Sequence, residues 1–270
     1  MYPSNTMISN RSARAYFIVN TSLIITGYAY YMALQTNFLL LMIFTAFRNY
    51  AMSKTVEMAV DHKAIINQNY EYPEGDYIYF MIQASLLESA TTYCVSVKNT
   101  EPNTALVAVA FIPMSFGFFL VFDFFYYWTH RWLHTAHLSW HKTHHTHVHL
   151  KPSITFYQDF LDMLLTVSIP FLLAEKIVQI VYPLSYLEIS LLLTYKIFIE
   201  ISGHTGHISR PASSFSQCIW LPQILGIELY TEDHNLHHVD TRYNYGKQFS
   251  LWDKLFGTYK AAGNDVMVLI

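Results

Sequence analysis

The chain has 270 residues, 53% of them hydrophobic and only 13% charged, with a formal net charge of −3. A soluble domain carries about 25% charged residues, so a disordered, collagen-like or charged coiled-coil chain is excluded and a chain solvated partly by lipid is indicated. No Lys/Arg cluster signals nucleic acid, and Cys94 and Cys218, far apart and outside any CxxC, exclude a disulfide framework and a thiolate metal site.

Met1–Asn10 is polar, and the apolar run beyond Arg14 is far longer than the core of a signal peptide, so no cleaved leader is expected. The longest charge-free run, Ala15–Phe47, lies between Arg14 and Arg48. A span needs about 20 residues. This run is therefore one kinked span, or a tight hairpin broken near Gln35-Thr36-Asn37. Arg14, Arg48 and Lys54 flank it, and the positive-inside rule places both flanks in the cytoplasm. Lys54–Asp76 is polar and reads as a surface loop with room for one helix. Tyr77–Val97 contains only Glu88 and meets Pro102–Phe122 through the short stretch Lys98–Glu101, which predicts a second hairpin. Pro102–Phe122 has no polar face to show to water, which separates it from a buried helix of a soluble protein. By this parity His130 onward is cytoplasmic. Two weaker apolar segments follow: Phe160–Tyr182, with Pro170, Glu175 and Lys176, and Leu184–Ile201, with Glu188, Lys196 and Glu200. The expected fold is all-α, a polytopic membrane helical bundle of about four spans or hairpin helices with a cytosolic histidine-rich helical cap.

Of the 14 histidines, all but His62 lie between His130 and His238. They form tight groups: His130/His134, His141/His144/His145, His204/His207 and His234/His237/His238. On an unbroken helix His130, His134, His137, His141, His144 and His145 share an arc of about 100°. His147 and His149 fall outside it, and Pro152 soon ends any helix. So many imidazoles on one face would repel if protonated and pack poorly if not. Metal ligation resolves both problems, because neutral imidazole is the commonest ligand. Nine or ten clustered histidines are enough for two metals. Without thiolates, copper(I) and iron–sulfur are disfavoured, and the Glu-x-x-His pairs of soluble di-iron bundles are absent.

At these residues the chain resembles the membrane-bound fatty acid hydroxylase / sterol desaturase superfamily. The HxxxH, HxxHH and HxxHH boxes are His130/His134, His141/His144/His145 and His234/His237/His238. The lead-in Asp123-Phe-Phe-Tyr-Tyr-Trp-Thr-His130 and the tail Asn244-Tyr245-Gly246 … Leu251-Trp-Asp-Lys-Leu-Phe-Gly-Thr258 resemble the family too. The six-residue gap between the first two boxes is shorter than in many members, and the His204/His207 group lies where the family varies. The resemblance covers about Pro102–Lys260. It implies three parts: 1–100, an N-terminal membrane hairpin and polar loop; 101–262, a fatty acid hydroxylase-like catalytic domain; and 263–270, a tail. It implies the metal ligands His130, His134, His141, His144, His145, His204, His207, His234, His237 and His238. It also implies two iron ions, with O2 as co-substrate, at the cytosolic face of a membrane, most simply the endoplasmic reticulum.

The resemblance further implies hydroxylation or desaturation of a sterol or fatty-acyl C–H bond. Electrons would come from a separate cytochrome b5 or reductase, since no stretch is left over for a fused donor domain. Carboxylates that could orient the imidazoles are Asp123, Asp233 and Asp240, with Glu232 and Asp253 nearby. Gly203 and Gly206 would allow close backbone approach beside His204. The aromatic run Phe124–Trp128 reads as an interface belt. Two other classes compete with this reading. A histidine-lined metal transporter would put ligands inside the spans, whereas these clusters lie outside the charge-free runs. A membrane zinc hydrolase would need an HExxH-type glutamate, which is missing.

Overall fold

The computed structural model describes residues 10–63, 65–66, 76–97, 104–136, 139–148, 150–209 and 214–262. Among them the architecture is helical, and the one strand-like feature is an isolated bridge between Ile65 and His207. The long helices are α1 (Asn10–Leu34), α2 (Phe38–Val60), α3 (Tyr77–Cys94) and α4 (Thr104–Thr135). Short pieces follow: a 3-10 turn (Ser139–His141), α5 (Lys142–His145), a second 3-10 turn (Pro152–Phe156) and α6 (Phe160–Met163). A π-helical turn (Leu164–Ser168) joins α6 to α7 (Ile169–Val181). Then come α8 (Tyr186–Gly203), α9 (Leu221–Ile224), α10 (Thr231–Val239) and α11 (Leu251–Leu255).

The run Ala15–Phe47 is two helices. They are separated where Asn37, in an extended conformation, accepts the Leu40 N–H with its side chain at 3.0 Å and caps α2. Lys54 to Val60 continues α2, so the polar loop begins later than expected. Three stretches are long and apolar enough to cross a membrane by length and composition: Arg14–Leu34, Ala110–Thr135 and Phe160–Val181. At 32 residues α4 is about 48 Å long, beyond a hydrocarbon core of about 30 Å, so one continuous helix carries apolar bulk and the first histidine pair.

The long helices associate as α1 with α8, α2 with α3, and α4 with α7. The expected α3–α4 hairpin is therefore opened: the π-helical turn touches both helices, and their connection lies outside the described residues. Likewise α7 leans on α4 and α8 on α1, although Tyr182 and Ser185 link them closely in sequence. α8 starts with a capping box, in which Ser185 N–H donates to Glu188 and Glu188 N–H to Ser185 Oγ. Every α8 residue from Leu187 to Ile201 except Phe198 is buried. α8 is thus enclosed by protein, and its charged residues Glu188, Lys196 and Glu200 are buried with it.

Between lipid-exposed helices there is no transfer of apolar surface from water, so close packing and polar contacts hold them. Gly27 meets α8 where a Cβ would sit 2.6 Å from Leu191 Cδ2 and 3.2 Å from its Cα. α1, α2 and α3 are joined by buried polar contacts. Arg48 Nη2 donates to both Glu88 oxygens at 2.6 Å, its guanidinium lies 4.8 Å from the Tyr30 ring centre, and Asn49 donates to Ser85. Arg48 is thus an internal ion-pair partner and not a flanking surface charge. Arg14 and Lys54 remain as exposed flanking charges.

Candidate metal centre

His130 and His134 stand one turn apart near the end of α4. The helix stops at Thr135, so the unbroken helix through His145 does not exist. His141 closes a 3-10 turn, and His144 and His145 lie on the single turn α5. His204 is the C-terminal cap of α8, and His234, His237 and His238 lie on α10. Nine imidazoles converge in two groups. His130, His134, His141, His145 and His237 form one; His144, His204, His234 and His238 form the other. Within each group one ring nitrogen per residue lies within 4.8 Å of all the others.

Helix geometry explains the sorting. Residues i and i+4 are about 40° apart, while i+3 falls about 60° to the other side. In the second box His141 and His145 (i, i+4) join the first group and His144 (i+3) the second. In the third box the assignment is reversed: His234 and His238 join the second group and His237 the first. Each HxxHH box therefore serves both groups.

The ring nitrogens identify what fits between them. His130 Nδ1–H donates to the Tyr245 carbonyl at 2.8 Å, His237 Nδ1–H to the Tyr243 carbonyl at 2.6 Å, and His204 Nδ1–H to the Glu200 carbonyl at 2.7 Å. His141 Nδ1 meets the Asp162 carboxylate at 2.9 Å. A carbonyl or carboxylate can only accept, so the proton is on Nδ1 and Nε2 is a bare lone pair. Yet His130 Nε2 lies 2.9 Å from His141 Nε2 and 3.1 Å from His237 Nε2. His204 Nε2 lies 3.1 Å from His234 Nε2 and 3.4 Å from His144 Nε2. Two imidazoles on one ion, with bonds of about 2.1 Å, would put their nitrogens about 3.0–3.4 Å apart, depending on whether the angle is right or tetrahedral. His238 has no hydrogen bond to either ring nitrogen, although both are buried. Facing lone pairs and orphaned nitrogens fit a cation in each group.

Burial, reinforced by the crowding of imidazoles and for some rings by Lys247, holds His144, His145, His204, His234 and His238 well below the ordinary imidazole range, and pushes His237 down to about 3. These rings are therefore neutral near pH 7, the form that ligates.

His207 belongs to neither group. Gly206, at φ +66°, turns the chain after His204, and a Cβ there would come within 2.1 Å of the Leu150 carbonyl oxygen. His207 Nδ1 donates instead to the Thr205 carbonyl at 2.6 Å. His147 packs on Tyr157, and His137 and His149 lie outside the described residues. Gly203 has no backbone crowding it.

The carboxylates named from sequence have other partners. Asp123, buried in α4, accepts the backbone N–H groups of Lys247, Gln248 and Phe249 at 2.7–3.0 Å. Asp253 accepts those of Tyr245 and Gly246. Both brace the loop whose Tyr245 carbonyl orients His130, one step removed from the imidazole. Asp233 accepts the N–H groups of Tyr230 and Ala262, and Glu232 holds Ser209. Asp240 forms a surface ion pair with Arg242. The carboxylate that does meet an imidazole is Asp162, a residue the sequence reading passed over. Its signal was available: an acid one turn into the apolar segment Phe160–Val181 is costly without a partner. Gln158 was missed as well. Its amide faces His144 Nδ1 at 3.4 Å, and with the oxygen toward the ring it receives the Nδ1 proton. The aromatic run is not a belt: Tyr126 and Tyr127 are buried, the former 5.1 Å from the His130 ring, and only Trp128 among them is exposed.

Residues 115–258 match the fatty acid hydroxylase family model. The chain belongs to this family. Fatty acid hydroxylase vlmA of Lecanicillium sp is 36% identical over 153 residues, covering 52% of this chain and 40% of that protein. Human lathosterol oxidase is 33% identical over 150 residues, covering 54% and 44%. Human alkylglycerol monooxygenase is 29% identical over 155 residues, covering 55% and 31%. The matched region spans less than half the length of each of these curated relatives. No solved structure matches the chain. All nine converging histidines but none of α1–α3 fall within the family region.

Proposed function

We propose that this family member is a membrane-bound oxidoreductase that hydroxylates or desaturates a lipid C–H bond, using O2, two iron ions and electrons from a separate donor. The observation that carries the reading is the pair of imidazole groups whose Nε2 lone pairs face one another. The names of the relatives, a fatty acid hydroxylase, a sterol oxidase and an alkylglycerol monooxygenase, support the class of reaction.

We assign the first iron to His130, His134, His141, His145 and His237, and the second to His144, His204, His234 and His238. When bound, this pair would supply the reducing power toward O2 that attack on an unactivated C–H bond requires. The protein's part is to hold and orient. Asp162 and the carbonyls of Tyr245, Tyr243 and Glu200 keep protons on Nδ1 and aim Nε2 inward. Asp123 and Asp253 fix the loop that delivers the Tyr245 carbonyl. Burial of all nine rings to at least part of their surface keeps bulk water from the reacting centre.

In this reading 101–262 is the catalytic unit, and residues 1–100 complete the membrane bundle around it. The centre lies at the cytosolic end of α4 in the endoplasmic reticulum membrane, where cytochrome b5 or a reductase could deliver electrons. A transporter is disfavoured because the groups gather at helix ends and short turns. A zinc hydrolase is disfavoured because neither group contains a carboxylate.

The test compares the lipids of a host with and without the protein by mass spectrometry. A lipid gaining one oxygen or losing two hydrogens, dependent on O2 and absent with His141→Ala, is expected. An unchanged lipid profile, or a change that survives the substitution, would overturn the proposal.

A further inference from the structure

A cavity opens between α2, α3, α8 and the π-helical turn, and its lining is mostly apolar, with Leu87, Phe171 and Leu193 among the walls. The widened π turn contributes Val167, at the kind of helix irregularity that accompanies functional sites. Two of its walls reach the imidazole groups directly. Gln158 faces His144, and Glu200 gives its backbone carbonyl to His204.

The ionisable groups around this space cancel in pairs. Glu88 is matched by Arg48 at 2.6 Å, and Glu200 by Lys196 at 2.8 Å. The pairs differ in what they leave free. Glu88 receives Arg48 on both oxygens. Lys196 Nζ lies 2.8 Å from Glu200 Oε1 as an ion pair, and no second donor reaches that buried oxygen. Both Lys196 and Glu200 are more than nine-tenths buried. A carboxylate oxygen open to a donor, beside an ammonium with donors of its own, matches one small group: a hydroxyl, which donates and accepts at once. A hydrocarbon would leave Glu200 Oε1 with the Lys196 ammonium as its one polar neighbour. A carboxylate or phosphate headgroup would add an unpaired charge to a space where every charge is already matched.

We propose that the Lys196–Glu200 pair binds the hydroxyl of an uncharged lipid alcohol in this cavity, so that the substrate carries its hydroxyl close to the carbon that reacts. Glu200 precedes His204 by one helical turn, about 6 Å along α8, which sets that closeness. The proposal rests on the lipid-oxidation reading and narrows its substrate class.

The test is equilibrium binding to the purified full chain in nanodiscs, with two matched sets of radiolabelled probes: 1-hexadecanol, hexadecane and palmitate; and cholesterol, cholestane and cholesterol sulfate. In at least one set the alcohol should bind on the order of tenfold more tightly than both companions, as one hydrogen bond to a charged group predicts. Lys196→Met and Glu200→Gln should each cut that preference to within about twofold, while Leu193→Ala should weaken alcohol and hydrocarbon alike. No alcohol preference in either set, or a preference that both variants keep, would overturn the proposal. If one variant does not elute as a single species, the other variant and the wild-type ranking still decide it. Binding is read without turnover. A chain that prefers the alcohol but oxidises no lipid sinks the oxidation reading alone, and one that oxidises lipid without the preference sinks this proposal alone.

Discussion

His130 and His237 hold their Nε2 atoms 3.1 Å apart, and each donates its Nδ1 proton to a backbone carbonyl, Tyr245 and Tyr243 respectively. Neither Nε2 can then carry a proton while the rings are neutral. Two lone pairs at that distance repel unless a cation lies between them. The relationship joins helix α4 to helix α10 across 107 residues of sequence, and it recurs around both groups.

Asp162→Asn tests the orienting role of the carboxylate on His141. Loss of an outer hydrogen-bond partner of a metal ligand typically costs 10- to 100-fold in metal affinity or activity. A drop in that range is expected in both quantities, measured by chelator competition and lipid turnover. Asp240→Asn, which alters surface ion pairs with Arg242 and Lys260, should leave both within about twofold.

Asp123→Ala removes the acceptor of three buried backbone N–H groups. Each orphaned donor costs about 1–3 kcal/mol, so a loss of at least about 3 kcal/mol is expected, read as a lower thermal midpoint. Because the loop 245–249 also delivers the carbonyl to His130, metal content should fall with it. Wild-type stability in this variant would contradict the bracing role.

The buried Arg48–Glu88 pair should behave as a unit. Glu88→Leu leaves a buried guanidinium unpaired, which costs about 3–5 kcal/mol. Arg48→Met with Glu88→Leu should recover most of that loss. Thermal unfolding in detergent checks the cycle, and additive single effects would show that the two side chains do not depend on each other.

The metal-free protein should be acid-labile in a defined window. Burial pushes His237 from the ordinary 6.5 down to about 3 in the folded chain, and five other converging rings are shifted the same way. Below pH 6.5 the unfolded chain binds protons that the folded chain refuses, so stability is full above that value and falls as pH drops toward 3. Every ring that stays neutral in the folded chain but protonates in the unfolded one adds to that loss. Melting of chelator-treated protein from pH 7.5 to 5.5 should therefore show a steep decline, and a flat profile would contradict the shifted imidazoles.

Much of the centre was legible because i, i+4 spacing is local and survives any tertiary arrangement. His130/His134 and His234/His238 needed only a helical turn each. The break after Thr135 was not legible, since Ala136-His137-Leu138 contains nothing that ends a helix by itself. It is convergence on two centres, not local preference, that demands it. His207 shows the reverse failure: its spacing from His204 suits a helix, but Gly206 adopts a left-handed conformation and turns the chain away. The carbonyls of Tyr243, Tyr245 and Glu200 carry no side-chain signature at all. Asp162 did, and its cost inside an apolar segment marked it. In the fold, the break at Asn37 was foreseeable from its capping chemistry. The partners of α3 and α8 were not, because uniformly apolar helices do not name the neighbour they pack against.

The most direct test is the metal content of the full-length chain purified after growth with iron, measured by elemental analysis on wild type and on two variants. The account predicts about two irons per chain in wild type. It predicts about one in His204→Ala/His234→Ala, which strips only the second group, and about one in His134→Ala/His237→Ala, which strips only the first. A single zinc per chain in wild type, or variants that retain the wild-type iron content, would contradict it.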